Sequence, residues 1–350
     1  MEFGSFMEFH LREGLSQADA FEEAFAHVDM AEQLGLGAAW LAEAHFNAER
    51  SVLSSPLVLA SAIAARTKRI KVGTAVLVLP LGNPLRIAEE AATLDHISEG
   101  RFEFGIGRSG LPGSYEGYNL PYAESQERFA EYLEIILKAW TNESFSHDGK
   151  YFSFDDVCLV PKPYQSPHPP VRIAANSSET FPRMGALGYP IFIGLRRATM
   201  TEVAEQVRSY QQSWNDAGHG GSPSVNLRVP VYVADTEEQA FSEPQESFMT
   251  QFHRLGRAVA SSVATPGADP HGDRAETGQQ LASVTWEQVL EDKKVVVGTA
   301  ETVTEQLHEM ATELALDGFA VEFNAGERIP RNKVEHSLTL FCERVMPSFN

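Results

Sequence analysis

Short β-rich runs alternate with longer amphipathic stretches along nearly the whole chain, and this alternation limits the fold more than any other feature. The β-rich runs are Glu2–Phe9, Ala38–Leu41, Ile70–Leu79, Arg101–Ile106, Val171–Ala174, Pro190–Ile193, Asn226–Ala234 and Gly318–Phe323. A helical pattern follows each one. Ser16 with Asp19 forms a capping-box-like start, and Gly35 and Gly37 supply the stop. Asn83-Pro84 places an N-cap and a first-turn proline before a helix running to about Ile97. Strict βα alternation predicts parallel strands joined by right-handed crossovers. Eight such units in 350 residues fit an α/β chain folded as one (β/α)8 TIM barrel, residues 1–350, better than an open doubly wound sheet.

Two segments break the repeat. Residues 142–164 read as a small β insertion, with aromatic residues around the turn signal His147-Asp148-Gly149-Lys150. Residues 256–284 are polar and aperiodic, and predict a long mobile loop after the seventh strand, on the rim where a lid would lie.

Composition narrows the function. The chain carries 48 acidic and 28 basic side chains, a net charge of −20. That excludes a broad nucleic-acid or anionic-membrane surface, which needs clustered Lys and Arg. The longest apolar runs, such as Val72–Leu81, fall far short of the ~20 residues that cross a bilayer. No signal-peptide pattern opens the chain. Two cysteines, Cys158 and Cys342, make neither a disulfide framework nor a zinc cluster. A cytoplasmic protein without a metal site is expected.

In this architecture the active site lies at the C-terminal ends of the strands. The second strand ends in Glu43 and His45, two residues apart and on one face if the strand continues. A carboxylate and an imidazole there suit acid/base work; a structural rim pair is the plainer alternative. The third strand has Gly73, Thr74 and Ala75 in its middle. Such low bulk lets a planar ligand approach or lets barrel layers pack closely, and both readings stand. The fourth strand ends Gly105-Ile106-Gly107-Arg108-Ser109-Gly110. This is formally a dinucleotide fingerprint, but Leu111-Pro112-Gly113 continues as a loop where that motif opens a helix. It reads instead as a glycine-rich end placing Arg108 at the rim, suited to bidentate phosphate binding. The fifth strand ends in Asn176, Ser177 and Ser178 at the start of a helix, a place for an anion. Arg108 and the Ser177/Ser178 turn sit on neighbouring strands and would share one phosphate, with Arg128 as a third contact.

These residues resemble the bacterial luciferase-like, flavin-dependent monooxygenases. The resemblance runs from WLAEAHF through VGTAVLVLPLGNPLRIAEEAATLDHISEGRFEFGIGRSG, ERFAEYLEIILKAW and KPYQSPHPPVRIAANSSET to VVGTAETVTEQL. It implies a barrel binding reduced FMN, with the isoalloxazine over strand 3. A non-prolyl cis peptide would support the ring at Ala75–Val76, and Gly107 would lie at the cofactor side of strand 4. The phosphate pocket would use Arg108, Arg128, Ser177 and Thr180, with Asn176 and Ser178 beside them. Residues 256–284 would be the active-site lid.

The implied chemistry is two-component: a flavin reductase supplies FMNH2, and O2 adds at the flavin C4a to give a peroxyflavin that oxygenates a small organic substrate. His45 is the expected proton carrier, with Glu43 orienting it. Phe6, Phe9, Tyr115 and Tyr118 are expected on the substrate side from their rim positions. The luciferases carry a catalytic histidine where this chain has Ala44, and a reactive cysteine where it has Gly107. The first difference argues against light emission. Family members are often homodimers. The competing readings are an F420-dependent hydride-transfer oxidoreductase and a non-catalytic flavin-binding subunit.

Overall fold

A computed structural model describes residues 1–12, 14–48 and 50–349. The strands are β1 (Glu2–Met7), β2 (Ala38–Leu41), β3 (Lys71–Thr74), β4 (Leu77–Val78), β5 (Phe102–Gly107), β6 (Phe145–Asp148), β7 (Ser153–Val157), β8 (Val171–Ala174), β9 (Ile191–Gly194), β10 (Val225–Val233), β11 (Val296–Gly298) and β12 (Gly318–Glu322). β1 pairs with β2, β2 with β3, and both β3 and β4 with β5. β5 then pairs with β8, β8 with β9, β9 with β10, β10 with β12, and β12 with β1. Every pair is parallel, and the last one closes the ring, so the eight-stranded barrel expected from the alternation is the observed fold.

The helices α1 (Gln17–Gln33), α2 (Pro56–Arg66), α3 (Pro84–Ile97), α4 (Gly113–Gly117), α5 (Ser125–Thr141), α6 (Thr180–Leu187) and α7 (Met200–Asp216) cover its outside. They continue with α8 (Glu237–Ser242), α9 (Gln245–Ser261), α10 (Arg274–Ser283), α11 (Trp286–Glu291), α12 (Ala300–Glu313) and α13 (Arg331–Leu340). Local chemistry starts several of them. Ser16 and Asp19 form the capping box of α1, and the Asn83 side chain accepts from Leu85 and Arg86 N–H before α3. Among the described residues, no helix is long and apolar enough to cross a membrane.

The structure departs from the sequence reading in four places. The apolar run 70–79 is not one strand, since β3 stops at Thr74 and β4 starts at Leu77, while the Ala75–Val76 peptide between them is cis, as the resemblance implied. Residues 256–284 are not a long loop. They form the end of α9 and all of α10, joined by a short connection over 262–273. A Cβ on Gly278 would lie 2.6 Å from Ala260 N, and one on Gly256 would overlap Ala282. The two glycines let the helix backbones meet, a cross-chain reason that polarity and periodicity do not display. β11 is additional: it extends β10 outside the ring, with Val231 beside Val296. Finally, α6 starts at Thr180, two residues later than Ser178. The insertion is a small antiparallel hairpin, with β6 and β7 paired around His147–Phe154.

Candidate active site

The barrel floor explains the small residues of strand 3. Trp40 lies across the interior, its ring edge-on to Phe192 with centroids 5.0 Å apart. A Cβ on Gly4 would sit 2.5 Å from Trp40 Nε1, and one on Gly73 would overlap the indole. Thr74 Oγ1 donates to Gly105 O at 2.6 Å. Gly73 and Thr74 therefore serve barrel packing. Ala75 and Val76, at the mouth, pack on the apolar cluster of Phe6, Ala38, Trp40, Ala42, Phe192 and Ala320. Gly107 is bare for a related reason: a Cβ there would lie 2.5 Å from Val76 Cγ2 and 3.6 Å from Ala174 Cβ. The floor beside β4 and β5 is thus apolar and low in bulk.

At the end of β2, Glu43 and His45 do share a face. His45 Nε2 donates to Glu43 Oε1 at 2.6 Å, and Val78 N–H donates to Glu43 Oε2 at 2.7 Å. The Tyr118 hydroxyl lies 3.3 Å from His45 Nδ1 and donates to it, given that Nε2 carries the proton facing the carboxylate. The Glu43 and His45 side chains are buried, whereas Tyr118 is 45% exposed. Of the aromatic residues expected on the substrate side, Tyr118 is the one that reaches both solvent and this pair. Phe9 packs against Phe21 in the core. Tyr115 is fully buried and donates its hydroxyl to Arg108 O at 2.5 Å. Phe6 lies beneath the Arg228 guanidinium. The rim position of these three had no bearing on where their rings turn.

At the end of β5, Arg108 Nη1 donates to Tyr122 Oη at 3.1 Å and Ser125 Oγ at 3.0 Å. Both partners are neutral, so the guanidinium keeps its charge available. Arg128 is engaged differently: it donates twice to Glu124 Oε2, at 3.0 and 2.7 Å, and stacks on Tyr151 of the insertion. After β8, Asn176, Ser177 and Ser178 are exposed. Ser177 Oγ and Thr180 Oγ1 share a hydrogen bond of 2.8 Å, so two hydroxyls meet at the start of α6. An apolar floor, a guanidinium with no carboxylate partner and a hydroxyl pair at the start of α6 fit a planar ring ending in a phosphate.

Residues 1–317 match the sequence profile of the luciferase-like monooxygenases. The chain belongs to that family. As a luciferase-like monooxygenase it is an oxidoreductase of the flavin-dependent class. It is 24% identical over 345 residues to the oxygenase component of a flavin-dependent trigonelline monooxygenase from Acinetobacter baylyi, covering 96% of this chain and 91% of that protein. The fold matches the monooxygenase RslO1 from Streptomyces bottropensis with a TM-score of 0.85 and 23% identity, over 100% of both chains. It also matches the oxygenating constituent of 3,6-diketocamphane monooxygenase from Pseudomonas putida, solved with FMN, with a TM-score of 0.82, 22% identity, and 99% and 98% of the two chains covered.

The luciferase-like barrel of this chain carries a second cluster that the sequence did not reveal. Glu8, at the end of β1, meets Arg50 at 2.9 Å and Arg228 at 3.2 Å. Glu322, at the end of β12, meets Arg228 at 2.9 Å and Arg196 at 2.8 Å. Burial alone would raise both carboxyls; Arg50 and Arg228 hold Glu8 well below its ordinary range, and Arg228 and Arg196 lower Glu322. Burial and then the neighbouring Arg228 charge lower Arg196 to about 10. Glu8, His10 and Glu322 bring ligand-type atoms within 4.8 Å of one another, a grouping not expected from their sequence spacing. Guanidiniums already balance the two carboxylates, as a bound cation would. The sequence signal for it was the position of Glu8 and Glu322 just at the ends of β1 and β12.

Proposed function

We propose that the protein is the oxygenase component of a two-component system, taking reduced FMN from a separate flavin reductase and transferring one oxygen atom from O2 to a small organic substrate. The observation that carries this reading is the junction of β4 and β5, where the Ala75–Val76 floor adjoins, through Gly107, an Arg108 with only neutral hydroxyl partners. Bound reduced FMN supplies the electrons that activate O2. The chain's own residues do the rest. Arg108 would hold the phosphate together with the Ser177–Thr180 hydroxyl pair, Ser178 and Asn176. Arg128 steadies this end through Glu124. Ala75 and Val76 support the ring and keep water from one face. His45 holds a proton at Nε2 against Glu43 and exchanges it through Nδ1 and the Tyr118 hydroxyl. Ala44 leaves this pair without the neighbouring imidazole of the luciferases, which supports oxygenation without light.

The test is a titration of wild type and Arg108→Ala with FMN and riboflavin. FMN affinity should fall by about 1.5–3 kcal/mol in the variant, the worth of a charge-assisted contact, while riboflavin binding holds. Unchanged FMN affinity removes the phosphate assignment. Wild-type binding of F420 in place of FMN selects the hydride-transfer reading. With FMN, reductase, NADH and air, His45→Ala should bind flavin yet form no oxygenated product; full turnover removes its proton role.

A further inference from the structure

Several arginines at the barrel mouth face carboxylates. Arg50, Arg196 and Arg228 are all paired with Glu8 or Glu322. Three guanidiniums around the end of β5 are not. Arg108 bonds only to hydroxyls. Arg274, 7% exposed, donates to Ser262 Oγ at 2.6 Å, Ala268 O at 3.3 Å and Gly110 O at 2.6 Å. Arg197 has no hydrogen bond or ion pair among the described residues. Its Nη2 lies 2.9 Å from where a Cβ on Gly110 would be, so it rests against the same bare loop residue that Arg274 grips.

Surrounding protein and the like charges of Arg274 and Arg108 depress the Arg197 pKa; Tyr122 and Asp273 oppose this without reaching ion-pair contact. A chain with 20 excess negative charges has thus gathered three guanidiniums on Arg108-Ser109-Gly110 without a paired carboxylate. Arg197 is exposed and Arg108 half-buried, so both are open to a ligand from solvent, whereas Arg274 is buried, and a buried cation without a counter-ion is costly. Carbonyl dipoles offset part of that cost at Arg274, and an anion would offset the rest.

We infer that Arg197 is a second phosphate-recognising side chain, which with Arg108 grips a phosphate monoester dianion, while Arg274 adds positive charge from behind Gly110. This rests on the flavin reading above, since FMN ends in such a group and riboflavin does not. Two planar guanidinium forks match the three terminal oxygens of a monoester better than the two free oxygens of a phosphodiester.

Arg197→Gln and Arg197→Lys, beside wild type, are titrated at fixed ionic strength with FMN, riboflavin and inorganic phosphate. The glutamine variant should lose roughly ten- to hundredfold in FMN affinity, lose phosphate affinity too, and keep riboflavin affinity. The lysine variant should recover part of the loss. Unchanged FMN and phosphate affinity in Arg197→Gln overturns the inference, and so does an equal loss for riboflavin, which marks a structural role. A wild type that binds inorganic phosphate but no flavin, with phosphate lost in Arg197→Gln, refutes the flavin reading and leaves the anion site standing.

Discussion

Glu43 Oε2 accepts the Val78 amide hydrogen at 2.7 Å. The same carboxylate accepts from His45 through Oε1, so one side chain ties the imidazole at the end of β2 to the backbone of β4. Glu43→Ala strands the buried Val78 N–H. The expected loss is about 1–3 kcal/mol, the cost of an unsatisfied buried donor, read by urea denaturation. Glu43→Gln keeps an acceptor and should lose less. Equal midpoints for wild type and the alanine variant would rule out this anchoring role.

Gly73→Ala places a methyl group inside the Trp40 indole. Overpacking of this kind costs about 1–3 kcal/mol. Thermal unfolding should show it, and adding Trp40→Leu should cancel most of the penalty, because the two sites couple through contact. A penalty that persists in the double variant assigns Gly73 a different role.

Arg274 joins the α9–α10 pair to the end of β5 through Gly110 O. Arg274→Met keeps the apolar stem and removes those donors. The connection over 262–273 should then be cleaved faster in limited proteolysis, with unaltered far-UV circular dichroism. An unchanged cleavage rate shows that the helix contact at Gly256 and Gly278 holds the segment by itself.

Burial pushes the Glu327 carboxyl up to about 7, His10 and Arg12 pulling against it and Glu23 and Glu322 with it. The folded state therefore binds this proton more tightly than the unfolded chain. Its stabilisation is full below the ordinary carboxyl range and is lost as pH rises through about 7. Glu327→Gln removes the loss. The variant's melting temperature should rise relative to wild type between pH 5 and pH 8; parallel curves would contradict the assignment.

Legibility divides along the range of the interactions. The strand ends carrying Glu43, His45, Arg108 and Ser177 were readable because period and capping are local: Ser16 meets Asp19, and Asn83 meets Leu85, within one helical turn. Gly73 was ambiguous because its neighbour Trp40 lies on another strand. Phe9 and Tyr115 turn inward while Tyr118 reaches the pair for the same reason, since position along the chain does not say which way a ring turns.

The (β/α)8 alternation, the family and the placing of Glu43, His45, Arg108 and Ser177 near strand ends are legible in the chain alone, because each is written in contiguous residues. Contacts between distant segments are what make 256–284 a helix pair, set Gly73 against Trp40, and join Glu8, Arg228 and Glu322 in one charged cluster. It alone brought Arg197 and Arg274 to Gly110. Barrel closure sets those neighbours, joining strand ends from opposite ends of the chain, and no local pattern encodes the distance between them.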